Sequence, residues 1–237
     1  MSEAQTGRSA SVTRWLLRCG LVAGPAFVIV FSVDGAIRPG YRPLRHPVSS
    51  LSLGPRGRVQ VTNFAVTGAL YLAAAAGLAR AADPATRARA ESGLVAVAAA
   101  GLIGAAAFRT DPVSGYPPGS PDVPVRPSRT GTAHNLLSAG VFLGMPAAAF
   151  ADGWRALRRG RVGWGLYCAG TAMSMLAAMG AAGAGFGQSP RLVNLAGLLQ
   201  RVSIVTGFGW LTARSGQALR PRLPDGDGVA RAIRHPR

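Results

Sequence analysis

Residues 15–37 read WLLRCGLVAGPAFVIVFSVDGAI, an apolar run in which Arg18 and Asp34 are the only charged residues. A helix of this length rises about 34 Å at 1.5 Å per residue, enough to cross a hydrocarbon core of roughly 30 Å. Arg14 and Arg18 precede the most apolar part, as in a signal peptide, but no Ala-x-Ala cleavage sequence follows up to Val33. The stretch therefore predicts an uncleaved first transmembrane helix.

Five further apolar segments of comparable length follow along the chain. Together with the first, they predict an all-α polytopic membrane protein with six transmembrane helices in one bundle. The six predicted spans are 15–37, 59–78, 91–108, 132–151, 162–186 and 192–213. The predicted organisation is a cytoplasmic N-terminal segment (1–13), a transmembrane domain (14–214) and a basic, disordered cytoplasmic tail (215–237).

The composition fits a membrane protein better than a soluble domain. Hydrophobic residues make up 49% of the chain and charged residues only 15%, whereas about a quarter of a typical soluble domain is charged. The net charge of +17 comes entirely from arginines, which lie between the apolar segments instead of forming one basic domain. This distribution favours topology signals over a phosphate-binding patch, so the predicted partners are membrane lipids and not nucleic acid.

The arginines also predict an orientation. With the N-terminus on the cytoplasmic side, 16 arginines fall in cytoplasmic segments and nine in the outer loops. Because basic residues concentrate on the cytoplasmic side of membrane proteins, both termini are predicted to be cytoplasmic. The first outer loop, which holds five arginines, counts against this orientation.

Ionisable and amide residues inside the predicted spans mark a candidate ligand site. Asp34, Asn63, His134 and Asn135 all fall near the outer ends of their segments, and Arg201 falls near the middle of the sixth. Such residues are costly in a bilayer, about 2.5–3.5 kcal/mol each on insertion scales, and usually face the protein interior. We therefore predict an outer-leaflet polar pocket in which Arg201 either pairs with Asp34 or receives an anionic head group.

The outer loops supply candidates for chemistry. His46, Asp111 and His134 are residue types that coordinate a divalent metal such as zinc, and Ser49 would then lie near activated water or act as a nucleophile. No compact spacing such as His-Glu-x-x-His supports the metal, and each histidine alone is better explained as a hydrogen-bonding cap or loop anchor. The sequence thus predicts no cofactor, with a divalent metal as the open alternative.

Several short motifs resemble the domain of unknown function 998 family. They are HPVSSL at 46–51, after a first helix that ends near an aspartate, Asn63 in the second helix, RTDP at 109–112 and HN at 134–135. The resemblance runs over about 15–213 and implies a six-helix, multi-pass protein of the bacterial plasma (inner) membrane, with no established reaction. A more distant similarity to the Frag1/DRAM/Sfk1-type membrane proteins suggests lipid handling.

Three functional classes stay open on the sequence alone. The first is a protein that binds a lipid or small amphipathic ligand in the outer-leaflet pocket. The second is a metal-assisted membrane hydrolase or transferase with its site at the extracytoplasmic face, which requires the polar groups to converge in space. The third is a transporter or an accessory subunit, but the two halves lack the similarity that inverted repeats show. We rank binding first and the enzyme second, and the oligomeric state is left open.

Overall fold

Six α-helices make up the structure, a computed structural model that describes residues 3–82, 89–124 and 126–220. The helices are α1 (Glu3–Ala36), α2 (Gly57–Ala81), α3 (Arg89–Ala107), α4 (Arg129–Leu157), α5 (Val162–Phe186) and α6 (Ala196–Leu219), with a short 3-10 helix at Val48–Ser52. The all-α, six-helix prediction is therefore confirmed. Most of the predicted tail, residues 221–237, lies outside the described residues.

The helices form a closed ring in chain order. Each packs on the next, from α1 to α6, and α6 packs on α1 to complete the ring. Neighbouring helices run antiparallel: Gly101 lies against Leu137, while Gly144, later in α4, lies against Leu94, earlier in α3. The loops 37–56, 108–128 and 187–195 consequently meet at one end of the bundle, which we call the three-loop end.

Glycines allow the α3–α4 contact to be close. A Cβ on Gly101 would lie 2.7 Å from the carbonyl oxygen of Leu137, and a Cβ on Gly144 would lie 2.9 Å from that of Leu94. No ordinary side chain fits at either distance. Small residues allow this approach in lipid, where van der Waals packing is a main force between helices.

Five of the helices found among the described residues, α1 to α5, are long and apolar enough to cross a membrane. The sixth is long enough but more polar, because it carries Gln200, Arg201 and Arg214. It begins at Ala196 instead of the predicted residue 192, since residues 189–195 form turns stabilised by hydrogen bonds between residues three or four apart. The cytoplasmic placement of the termini stays a prediction.

Candidate functional site

A cavity of about 510 Å³ lies inside the half of the bundle nearest the three-loop end. Its apolar walls include Phe27 of α1, Phe64 of α2, Leu102 of α3 and Phe208 of α6. The Phe27 ring is the centre of this aromatic group, with ring centroids 5.7 Å from Phe64 and 5.2 Å from Phe208. The interior of the ring of helices is thus apolar where a ligand would be enclosed.

Polar side chains line the same cavity near the loops. They belong to Ser49, Thr110, Asp111, His134, Asn135, Ser138 and Gln200. Four of the residues predicted from the sequence, Ser49, Asp111, His134 and Asn135, therefore share one cavity. The structure places the other four, Asp34, His46, Asn63 and Arg201, outside its lining.

His134 is held in a fixed orientation at the cavity wall. Its ring is 2% exposed and its Nδ1 lies 2.8 Å from the carbonyl oxygen of Phe108. Because a carbonyl only accepts, Nδ1 carries the proton, and Nε2 of the neutral ring is a hydrogen-bond acceptor. The edge of the ring also packs on Phe64, with centroids 6.2 Å apart.

Asp111 is positioned by the start of α4. The backbone N–H of Ser128 donates to Asp111 Oδ2 at 2.9 Å, and the Ser128 hydroxyl caps α4 by accepting from Gly131 N at 2.9 Å. A side chain at Gly131 would overlap the Asp111 carboxylate. The glycine therefore leaves the space that this carboxylate occupies beside the cavity.

Asp34 serves the loop that follows α1. It accepts two hydrogen bonds from the Arg38 guanidinium, at 2.7 and 3.2 Å, and one from the half-exposed Arg56 at 3.3 Å. Arg38 also donates to the carbonyl oxygens of Leu51, Leu53 and Arg56, at 2.7 to 2.9 Å. The pair fixes loop 37–56 against the end of α1, so the predicted Asp34–Arg201 ion pair is wrong.

Arg201 binds the same loop from α6. Its guanidinium donates to the carbonyl oxygens of Pro43, His46 and Gly197, at 2.5, 3.1 and 2.9 Å, and to the Tyr41 hydroxyl at 2.6 Å. These acceptors occupy the N–H donors of Arg201 that an anionic head group would need. The prediction that Arg201 receives such a group is therefore not supported by its surroundings.

His46 joins two loops. Its Nδ1 accepts from the Arg42 backbone N–H at 2.9 Å, and its Nε2 lies 3.1 Å from the carbonyl oxygen of Ser114. The ring packs between Tyr41 and Tyr116, with centroids 5.5 and 5.2 Å away. Burial lowers the pKa of His46 to about 4, against the opposing effect of the Ser114 hydrogen bond. The ring is neutral at pH 7 and structural.

Two further side chains connect separate parts of the structure, one at the three-loop end and one inside the bundle. Arg45 donates to the carbonyl oxygen of Ser114, to Asp122 Oδ1 and to Asn194 Oδ1, at 3.2, 2.8 and 3.0 Å, and so links all three loops. Asn63, inside the bundle, donates to the carbonyl oxygen of Phe27 at 3.1 Å and ties α2 to α1. Asn63 thus stabilises the helix pair behind the cavity.

The three candidate metal ligands, His46, Asp111 and His134, do not form one group among the described residues. Among the residues that the structure describes, no group of three or more His, Cys, Asp and Glu side chains is arranged to hold a metal ion. His46, Asp111 and His134 are each hydrogen-bonded to a different backbone group, as described above, and only the last two line the cavity.

Sequence reasoning missed a charged cluster at the opposite end of the bundle. Glu91 of α3, 1% exposed, pairs with Arg155 of α4 and with Arg214 of α6, the latter at 2.8 Å. Asp152 of α4 lies 3.5 Å from Arg155 and 3.4 Å from Arg214, and accepts from Trp164 Nε1 at 2.7 Å. The signal that could have revealed this cluster is one acidic residue in each of two apolar helices, since a buried acid requires a partner inside the protein.

Comparison with known proteins places the chain in one family. Residues 21–215, most of its length, match the family described as "Protein of unknown function (DUF998)". No curated protein and no solved structure gave a significant match. The distant similarity to Frag1/DRAM/Sfk1-type proteins stays a prediction. The extent of the match shows that this integral membrane protein belongs to the DUF998 family.

Proposed function

We propose that this protein binds a lipid or another small amphipathic molecule in the cavity at the three-loop end. The observation that carries the proposal is the division of the cavity into an apolar interior and a polar rim near the loops. Its volume of about 510 Å³ falls within the roughly 300–1,000 Å³ of small-molecule sites. A ligand that has a chain and a head group matches both parts.

The polar rim would decide which ligand binds. A hydrocarbon chain gains little by moving from lipid into an apolar cavity, because both surroundings are equally apolar. Hydrogen bonds from the head group to Asp111, His134 and Asn135 are gained only in the cavity. Selection by head group is therefore the expected behaviour.

The part of the cavity lining that belongs to α4 and α5 supports access from the bilayer. Asn135, Phe142 and Leu143 of α4 line the cavity together with Met179 and Phe186 of α5. The Leu143 side chain is 63% exposed, so the lining reaches the outer surface of the helix ring. A chain dissolved in the membrane would enter there without crossing water.

The proposed setting is the outer leaflet of a bacterial plasma membrane. The arginine distribution supports cytoplasmic termini, and α6 would then complete the sixth crossing in spite of its polar residues. Its Arg201 and Arg214 are satisfied by protein groups, which lowers the cost of placing them in lipid.

A bulky side chain at the wall of the cavity tests the proposal. We expect Ala139→Phe, at the cavity wall, to reduce labelling by a photoreactive long-chain alcohol about tenfold, because the ring occupies the chain's space. The measurement is cross-linked peptide mass spectrometry on protein in phosphatidylcholine nanodiscs. Ala147→Phe, on the exposed side of the same helix, is the matched control. Equal labelling of the two variants and the wild type would refute binding in the cavity.

A hydrolase or transferase is the second candidate. Ser49, Asp111 and His134 line one cavity, and Nε2 of His134 is available as a proton acceptor. In this alternative Ser49 is the nucleophile. We expect a fluorophosphonate probe to label the wild type and not Ser49→Ala or His134→Gln. A wild-type protein that stays unlabelled, while its cavity takes up the photoreactive alcohol, would exclude serine chemistry and retain binding.

A further inference from the structure

We propose that the head group recognised in this cavity carries an ammonium with N–H donors, as in a long-chain amine, and is not anionic. This inference rests on the proposed function, since it names the class of amphiphile that the same cavity takes. Three features of the rim point to it. The rim is negatively charged, its carboxylate lacks a cationic partner among the described residues, and the tautomer of its histidine leaves one ring nitrogen as an acceptor.

The charge of the rim is opposite to that of the protein. Among the described residues, Asp111 is the one acid that lines the cavity, and no arginine lines it, although the chain has a net charge of +17. An anionic head group would meet a carboxylate with no guanidinium beside it. Like charges in a partly apolar site repel strongly.

Three arginines at the three-loop end are occupied by other groups of the protein. Arg38 pairs with Asp34, Arg45 pairs with Asp122, and Arg201 donates to backbone carbonyl oxygens. Each is therefore held by acceptors of the loop framework. The usual recognition of phosphate or carboxylate by a bidentate arginine is absent from the described lining of the cavity.

Asp111 has no cationic partner within the described parts of the chain. Its Oδ2 accepts from the Ser128 N–H, and none of the ion pairs formed by the described residues includes it. A carboxylate beside an apolar cavity is stabilised by an opposite charge. An ammonium entering with its chain in the cavity would supply that charge.

The neighbouring histidine adds an acceptor. Since Nδ1 of His134 donates to Phe108, its Nε2 accepts in the neutral ring. A carboxylate and an unprotonated imidazole both require donors from the ligand. An ammonium with N–H groups provides them, whereas a carboxylate or phosphate head group provides none.

The experiment compares three photoreactive probes that share one alkyl chain and differ in the head group: amine, alcohol and carboxylate. With wild-type protein in phosphatidylcholine nanodiscs, we expect the amine to label the α4 and α5 peptides about tenfold more than the carboxylate does. Asp111→Asn should remove this preference while labelling by the alcohol is retained. Gly131→Ala, which crowds the Asp111 carboxylate, should also weaken labelling by the amine, as Asp111→Asn does.

The control is Asp122→Asn, which removes one negative charge from the same loop outside the cavity lining. It should leave the preference for the amine unchanged. Equal labelling by amine and carboxylate in the wild type, or an equal loss in the Asp122→Asn control, would overturn this inference and leave the proposed function standing. Failure of all three probes to label the cavity would instead overturn the proposed function.

Discussion

Replacing Arg38 with methionine is expected to lower the stability of the protein by about 3–5 kcal/mol, because it leaves the Asp34 carboxylate buried with only the half-exposed Arg56 as partner. The change also removes the donors to the carbonyl oxygens of Leu51 and Leu53. Loop 37–56 should then detach from α1. The measurement is thermal unfolding in detergent, monitored as the fraction of protein that stays monodisperse as the temperature rises.

The neighbouring residue Arg42 offers a matched control. Its side chain is exposed and makes no hydrogen bond with the described residues. Arg42→Met therefore removes the same charge from the same loop without breaking a buried contact, and should change stability by less than about 1 kcal/mol. If Arg38→Met and Arg42→Met unfold at the same temperature, the Asp34–Arg38 pair does not hold the loop.

Arg214→Gln is expected to destabilise the opposite end by a similar amount, about 3–5 kcal/mol. Glu91 and Asp152 would then share Arg155 as their one remaining arginine in the cluster, and two carboxylates in a buried site repel. The loss should separate α6 from α3 and α4. Thermal unfolding of the purified protein measures it, with the exposed Arg158→Gln as the control at the same end.

A second change distinguishes electrostatic coupling from lost packing. In the double variant Glu91→Gln, Arg214→Gln, one carboxylate and one guanidinium are removed together, so the remaining Asp152 and Arg155 balance each other. We expect the double variant to be more stable than the sum of the two single losses predicts. Strict additivity of the two changes would mean that Glu91 and Arg214 do not stabilise each other.

Apolar segment length predicted the number and type of helices well. Four of the candidate site residues, Ser49, Asp111, His134 and Asn135, line one cavity, while their role in a site stays a prediction. The helix prediction succeeds because the thickness of the bilayer constrains the length of each span.

Partners within the three-loop end were harder to predict. Membrane depth suggested Arg201 for Asp34, but Arg38 lies one helical turn further along and reaches it directly. Arg201 instead binds carbonyl oxygens whose positions depend on the path of loop 37–56. An irregular loop with prolines has no periodic pattern, so its backbone acceptors cannot be located from the sequence.

The charged cluster shows a different reason for failure. Arg155 and Arg214 were counted as basic residues that set the orientation of the chain, and nothing in that count connects them with Glu91 and Asp152. The contacts of Glu91 with Arg155 and Arg214 join residues 64 and 123 positions apart. Only the packing of the helices brings these residues together.

Ring closure also orders events during biosynthesis. Phe27, in the first helix, and Phe208, in the last, have ring centroids 5.2 Å apart and line the same cavity. At about 5–20 residues per second, a ribosome needs roughly 10–35 s to progress from one to the other. During that interval the cavity is not enclosed, because α6 is still missing from the ring of helices. A ligand of the proposed site would therefore associate after translation of α6 and would not template the assembly of the earlier helices.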